Sequence, residues 1–226
     1  MQGKTATVIG ATGLIGSELV RLLATDNYFT TVRALVRRPV SFSETKIQTK
    51  LINFSDHEFF KLAIEGSDAV FCAVGTTQKK VKGDREAYRK VDYDIPVKAA
   101  QFCQETQCPK LLIVSSMGAN ATSNNFYAKL KGEMEQSVQQ KTIKYIGIFR
   151  PSLLLGDRKE FRLGEKVAKA LMEVFSFIIP RKWKAIHATT VAEAMINAAK
   201  LEKSGTDIFE NAAIKNLATA HPHQAQ

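Results

Sequence analysis

Tyr127-Ala-Lys-Leu-Lys131 sets a phenol and an ammonium four residues apart. On a helix that spacing puts both groups on one face. A cation beside a phenol favours its ionised form, and a phenol so placed can give a proton to a carbonyl or take one from an alcohol. Ser115 and Ser116 stand just after the apolar run Leu111–Val114, where a hydroxyl can hydrogen-bond a substrate carbonyl. Ser116, Tyr127 and Lys131 are therefore the candidate catalytic residues. Lys131 is also placed to hold the ribose of a nicotinamide, and Ser115 and Tyr127 are expected at the same cofactor. The Tyr-x-x-x-Lys spacing is weak by itself, since any lysine-rich helix contains it by chance; Lys129, on another face, is the control. What gives it weight is the start of the chain.

There a β-branched run, Thr5–Ile9, leads into Gly10-Ala-Thr-Gly13-Leu-Ile-Gly16 and then an amphipathic helix pattern with Ile15, Leu19, Leu22 and Leu23 on one face. Glycines at this spacing between a strand and a helix form a dinucleotide fingerprint. Gly10 is expected to make the tight turn, Gly13 to let the backbone approach a pyrophosphate, and Gly16 to let the helix pack on the strand. Thr12, Leu14 and Ile15 offer donors at the helix start, where the free N–H groups and the dipole favour phosphate. The bland alternative is three structural glycines in an ordinary turn.

The second strand distinguishes the cofactors. An acid there binds the ribose 2′-hydroxyl of NAD, but this chain reads Leu35-Val36-Arg37-Arg38-Pro39 and has no carboxylate before Glu44. Two guanidinium groups attract a 2′-phosphate and can bind it bidentately, so NADP(H) is the expected cofactor, unless both arginines are merely surface residues. Asn53 and Phe54, after the third strand, are expected near the adenine. Ala73, Val74, Gly75 and Thr76, after the fourth, are expected along the ribose and pyrophosphate.

The elements that must position these groups alternate between strand and helix. Strands are expected at Thr5–Ile9, Val32–Val36, Lys50–Phe54, Asp68–Val74, Leu111–Val114 and Tyr145–Arg150. Helices are expected at Asp56–Ile64, with Phe59, Phe60 and Leu62 as apolar bulk, at Arg85–Glu105, where Pro96 must start or kink a segment, and at Tyr127–Gln139. Such alternation implies an α/β fold, a Rossmann-like doubly wound parallel sheet, with ligands at the C-terminal strand ends. The 226 residues suit a single domain spanning 1–226. After Phe149 the alternation weakens, and 151–220 reads as a small C-terminal lobe covering the substrate, with helices at Glu165–Phe175 and Thr190–Leu201. Arg158, Phe161 and Arg162 in the loop Ser152–Gly164 are candidate substrate contacts, although the arginines can equally pair with Asp157, Glu160 and Glu165. Trp183 and His187 lie in a second apolar stretch; His187 could line the pocket, but a lone histidine there is more often structural, and it receives no catalytic role.

The net charge of +10 favours anionic partners. The basic residues are dispersed and lack the interleaved aromatics of RNA-binding sheets, so solvated surface lysines are favoured over nucleic-acid binding. No apolar run approaches the ~18 residues of a membrane span. Met1–Lys4 shows no signal-peptide pattern. Cys72, Cys103 and Cys108 are odd in number and lack metal-ligand spacing, so no metal is expected and a reducing cytosol is.

Taken in order, the glycine fingerprint, Ser115-Ser116 and Tyr127-x-x-x-Lys131 resemble the short-chain dehydrogenase/reductase superfamily. Phe71-Cys-Ala-Val-Gly-Thr-Thr77, Val114-Ser-Ser-Met-Gly-Ala119, Leu130-Lys-Gly-Glu133, Phe149-Arg-Pro151 with Asp157-Arg158, and Glu210-Asn-Ala-Ala-Ile214 are similar to an atypical branch, the Tat-interacting protein family. The resemblance implies an NADPH-binding Rossmann-like fold, with Ser116, Tyr127 and Lys131 at catalytic positions and Pro151 against the nicotinamide. Cys72-Ala-Val-Gly75 departs from the superfamily's Asn-Asn-Ala-Gly stretch, so the resemblance assigns no fourth member of a proton relay. It supplies no substrate either. Two functions follow as expectations. One is an NADP(H)-dependent oxidoreductase acting on a small carbonyl-like substrate with Tyr127 as general acid. The other is an NADPH-binding regulatory protein that contacts a protein partner with little or no turnover. Sugar-nucleotide epimerase chemistry is disfavoured by the short C-terminal region, and the sequence leaves monomer and dimer open.

Overall fold

A strand whose apolar residues face both ways must be covered on both faces. Lys4–Ile9 (β1) meets that condition in the interior of the sheet, with Ala6, Val8 and Ile9 fully buried. The computed structural model describes residues 3–76, 81–156 and 184–220. Beside β1 lie Phe29–Val36 (β2) and Ala69–Cys72 (β4); Ile47–Leu51 (β3), Lys110–Val114 (β5), Tyr145–Arg150 (β6) and Gly205–Glu210 (β9) complete one parallel sheet in the order β3-β2-β1-β4-β5-β6-β9. Leu154–Leu155 (β7) and Ile186–His187 (β8) form a separate two-stranded ribbon beyond the end of β6.

Helices cover both faces. Leu14–Thr25 (α1), Ala188–Lys200 (α6) and Asn211–Thr219 (α7) bury Leu19, Leu23, Val191, Met195 and Ile214 on one side. His57–Ile64 (α2), Ile95–Glu105 (α4) and Phe126–Gln139 (α5) bury Phe60, Ile64, Phe102, Met134 and Val138 on the other. The expected Rossmann-like doubly wound sheet is the observed one. The chain leaves β1 toward β2 on one side and β4 on the other, so the ligand crevice opens at the carboxyl ends of β1 and β4.

Three elements differ from the sequence expectation. The third strand is Ile47–Leu51, not Lys50–Phe54. It pairs Val32 with Ile47 and Val36 with Leu51, while the apolar residues that suggested a later strand follow its end: Ile52 donates its N–H to the Val36 carbonyl at 2.8 Å and Phe54 packs edge-on against Phe60. In α2, Phe60 and Ile64 are buried, but Phe59 and Leu62 are 56% and 61% exposed, because a helix at the sheet margin covers only one stripe. Residues 205–210, read as part of a covering lobe, instead form the seventh strand, parallel to β6.

The long helical stretch after β4 breaks where Pro96 requires. Arg85–Arg89 (α3) passes through a single π turn at Lys90–Asp94 before α4 begins, with Pro96 in the first turn of α4. Proline has no N–H to give to a preceding turn, and a π turn is the local widening that absorbs the mismatch. The π turn carries Asp92 into the interior, 1% exposed. The helix expected at Glu165–Phe175, together with Arg158, Phe161, Arg162 and Trp183, lies outside the described residues.

Candidate active site

The site assembles at the crevice. Gly10 turns the chain off β1 with φ +86°, and a Cβ there would stand 2.8 Å from the Ala73 carbonyl oxygen at the end of β4. Gly16 packs still closer: its Cβ would lie 2.0 Å from the Gly10 carbonyl oxygen. Gly16→Ala is therefore expected to push α1 off the turn at a cost of about 1–3 kcal/mol, read as a lower denaturation midpoint. An unchanged midpoint would show that the turn yields freely. Gly13 is the N-cap of α1, donates its N–H to the Gly10 carbonyl at 2.8 Å and offers no side-chain cap. By contrast α2, α3 and α5 are capped by the side chains of Asp56, Asp84 and Asn125. The first turn of α1, Leu14-Ile15-Gly16, keeps backbone donors that have no acceptor within the helix and carries no acidic residue. Thr12 beside it is exposed.

Arg37 and Arg38 follow β2, are exposed, and stand one strand away from the glycine turn, since Ile9 pairs with Leu35. Asn53 accepts the Ser55 N–H at 3.1 Å through its side chain, and the Phe54 ring is engaged with Phe60. Ala73 donates to the Ile9 carbonyl at 2.9 Å. Val74 and Thr76 are half-buried and Gly75 is exposed.

Across the crevice, α5 carries Tyr127 and Lys131. Asn125 caps it by accepting the N–H groups of Tyr127 and Ala128 at 3.0 and 3.1 Å. Tyr127 is 37% exposed in the first turn, and one turn later Lys131 is 2% exposed. The Lys131 Nζ lies 3.0 Å from Asp92 Oδ1, and Asp92 Oδ2 accepts the Thr76 N–H at 2.8 Å. Burial pulls the Lys131 ammonium down, but Asp92 and Tyr127 outweigh it, so its pKa is raised. One buried carboxylate thus ties the loop after β4 to the lysine of α5. Sequence inspection missed Asp92; its only signal was an acid placed shortly before a helix-interrupting proline.

The two serines separate. Ser115 donates its hydroxyl to Glu135, a buried acid held by Arg150, whose Nε lies 3.0 Å away and whose Nη1 also reaches Glu210 at 3.0 Å. Ser115 therefore contributes its side chain to a buried network under the strand ends. Ser116 Oγ is buried and has no hydrogen-bond partner among the described residues. Pro151 is buried, and its carbonyl accepts the Met117 N–H at 3.0 Å. His187 is exposed at the start of α6.

A nicotinamide dinucleotide fits this donor set. The glycine cradle admits no Cβ at Gly10 or Gly16, the first turn of α1 has neither a side-chain cap nor an acid and suits an anion, and the buried Ser116 hydroxyl has no partner among the described residues. Residues 10–202 match the family described as NAD(P)H-binding. The chain belongs to that family. It is 32% identical to Protein HTATIP2 of Rattus norvegicus over 96% of this chain and 90% of that protein, in keeping with the expected kinship to the Tat-interacting protein family. It is 35% identical to Protein FMP52, mitochondrial, of Candida albicans over 73% of each. Among solved structures, MoeE5 in complex with UDP-glucose and NAD shares the fold at TM-score 0.69 and 14% identity, covering 92% of this chain and 76% of that one. The family is thus one that binds NAD(P)H, and the fold is shared with NAD-bound structures.

One expectation falls here. A cytosolic location was inferred from free thiols, but the FMP52 relatives, from Candida albicans to Saccharomyces cerevisiae, are named as mitochondrial proteins. All three cysteines are buried and free. Free thiols report a reducing environment and do not distinguish one reducing compartment from another. Among the described residues no helix is long and apolar enough to cross a membrane, and no cluster of residues is suited to a metal ion.

Proposed function

We propose that the protein is an NADPH-dependent reductase of small carbonyl compounds, with Tyr127 as general acid. The observation that carries this reading is the buried Lys131–Asp92 pair one helical turn from a partly exposed Tyr127, together with a buried Ser116 hydroxyl that has no partner among the described residues. When bound, the reduced nicotinamide supplies the hydride. Tyr127 would give its hydroxyl proton to the substrate carbonyl oxygen as that carbonyl is reduced to an alcohol, and solvent would restore the proton. Ser116 Oγ–H donates a hydrogen bond to the same oxygen and fixes its position. Lys131, held charged by Asp92, supports the electron density left on the Tyr127 oxygen and would offer its ammonium to the nicotinamide ribose. Pro151 and the Ala73–Thr76 backbone would wall the cofactor.

Arg37 and Arg38 support the choice of the phosphorylated cofactor, because each can make charge-assisted hydrogen bonds to a 2′-phosphate and neither meets a carboxylate beside it in sequence. NADPH is expected to bind at least ~10-fold more tightly than NADH. Arg37→Glu/Arg38→Glu is expected to remove that preference, since hydrogen bonds to charged groups contribute about 1.5–3 kcal/mol. Titration of both cofactors against both proteins checks this, and equal affinities in the unaltered protein would end the NADP claim. Oxidation of NADPH by a panel of aldehydes, ketones and quinones tests the reductase reading itself. Tight NADPH binding without turnover on the whole panel would favour a cofactor-dependent regulatory protein instead.

A further inference from the structure

Cys103 lies in the last turn of α4, and Cys108 leads into β5. The turn between them brings the two together. Cys108 donates its N–H to the Cys103 carbonyl at 2.8 Å, Gln107 donates to the Gln104 carbonyl at 3.3 Å, and Gln107 itself has φ +57°. Two nested bonds around a left-handed residue make a Schellman motif, whose two outer side chains pack against each other where the helix ends. Those positions usually hold apolar residues; here both are cysteines. Pro109 restricts Cys108 to extended backbone and so fixes the exit from the turn. We propose that Cys103 and Cys108 are a peroxide-sensitive dithiol that closes reversibly to an intramolecular disulfide. The site is independent of the reductase reading.

Both residues are buried, at 0% and 3% exposure, but they lie beneath a helix end whose Gln104, Glu105 and Gln107 are exposed. A last helical turn opens locally at less cost than the domain unfolds, and that opening admits a molecule as small as hydrogen peroxide. The pair is asymmetric. A hydrogen bond from the Cys103 thiol pulls the Cys108 thiol below its ordinary value, against its burial. Burial, and then the contact with Cys108, push the Cys103 thiol up. Cys108 is therefore the thiol that attacks first. Cys72 shares the same core cluster, but burial pushes its thiol up to about 12 and leaves it inert.

The chemistry balances with hydrogen peroxide as oxidant. The Cys108 thiolate attacks one peroxide oxygen, the O–O bond breaks, and the other oxygen leaves as hydroxide and takes the thiol proton to become water. The Cys103 sulfur then attacks the Cys108 sulfenic acid. The S–S bond forms as the S–O bond breaks, and the departing hydroxyl takes the Cys103 proton as a second water. Two thiols lose two hydrogens, and one peroxide becomes two waters. A resolving thiol already in contact closes the bridge before a second peroxide reaches Cys108 and carries it to the irreversible sulfinic acid.

The test treats the reduced, folded protein with a small excess of hydrogen peroxide, then unfolds it in an alkylating reagent, digests it with trypsin and weighs the peptides. Cys103 and Cys108 share the tryptic peptide 99–110. The bridge is expected to appear as loss of two hydrogens from that peptide with neither cysteine alkylated, while Cys72 stays alkylated. Dithiothreitol before alkylation is expected to restore both labels. In Cys103→Ser, Cys108 is expected to stop at a sulfenic acid that dimedone traps; in Cys108→Ser, Cys103 is expected to remain a thiol. A peptide still fully alkylated after peroxide, a bridge to Cys72 or to a second chain, or sulfinic acid in place of the bridge would each overturn the proposal. Equal dimedone labelling of the two single variants would overturn the assignment of Cys108 as the attacking thiol.

Discussion

Asp92→Ala is expected to lower folding stability by about 3–5 kcal/mol, a large part of the ~5–15 kcal/mol that holds a domain together. The substitution leaves the Lys131 ammonium 2% exposed with its carboxylate gone. It also strips the Thr76 N–H of its acceptor in the loop after β4. The cost is that of stranding a buried charge, not the net worth of the pair, and this gives the prediction a second arm. Adding Lys131→Met to Asp92→Ala removes the stranded charge, so the double variant is expected to be more stable than Asp92→Ala alone. Denaturant midpoints of the three proteins check both arms. A loss below about 1 kcal/mol in Asp92→Ala, or no recovery in the double variant, would show that the pair does not tie the loop to α5. The pair also carries a pH signature. The Lys131 pKa is raised above its ordinary 10.5, so its contribution is fully present below that value and is lost as pH climbs through the higher folded one.

That Asp92 escaped sequence inspection while Gly10, Gly16, Tyr127 and Lys131 did not has a physical cause. The glycine turn and the tyrosine–lysine spacing are local patterns: a β-branched run, a residue without Cβ, and one helical turn between two groups. The role of Asp92 exists only once a π turn rotates it inward and α5 lies against it, and no short-range pattern encodes that contact. Glu135 escaped in the same way, since a glutamate inside a lysine-rich helix reads as solvated until Ser115 and Arg150 converge on it. The seventh strand was obscured by composition: Gly-Thr-Asp-Ile-Phe-Glu mixes poor and good strand formers, and an edge strand is covered on fewer sides than the β-branched run of β1. In α2 the apolar residues were visible, but which stripe met the core depended on α4, where Phe102 packs edge-on against Phe60 at 5.3 Å.

Tyr127→Phe is expected to reduce kcat for carbonyl reduction at least ~100-fold, within the ~10²–10⁴ that a positioned general acid contributes. The substitution removes one hydroxyl and keeps the rest of the site. The ring retains its perpendicular contact with Tyr88, and Asn125 still caps α5 through backbone N–H groups that the side chain does not alter. NADPH affinity is therefore expected to stay within about threefold and KM to change little, because an interaction made chiefly in the transition state is lost from kcat. Lys131 remains paired with Asp92, and assays near neutral pH lie well below its raised pKa, so both proteins are compared with that ammonium charged. Single-turnover oxidation of bound NADPH by a reducible aldehyde separates this chemistry from product release. An unchanged single-turnover rate in Tyr127→Phe would remove Tyr127 as the proton donor. A fall in rate accompanied by an equal rise in NADPH dissociation constant would assign the hydroxyl to the cofactor's ribose rather than to the carbonyl oxygen.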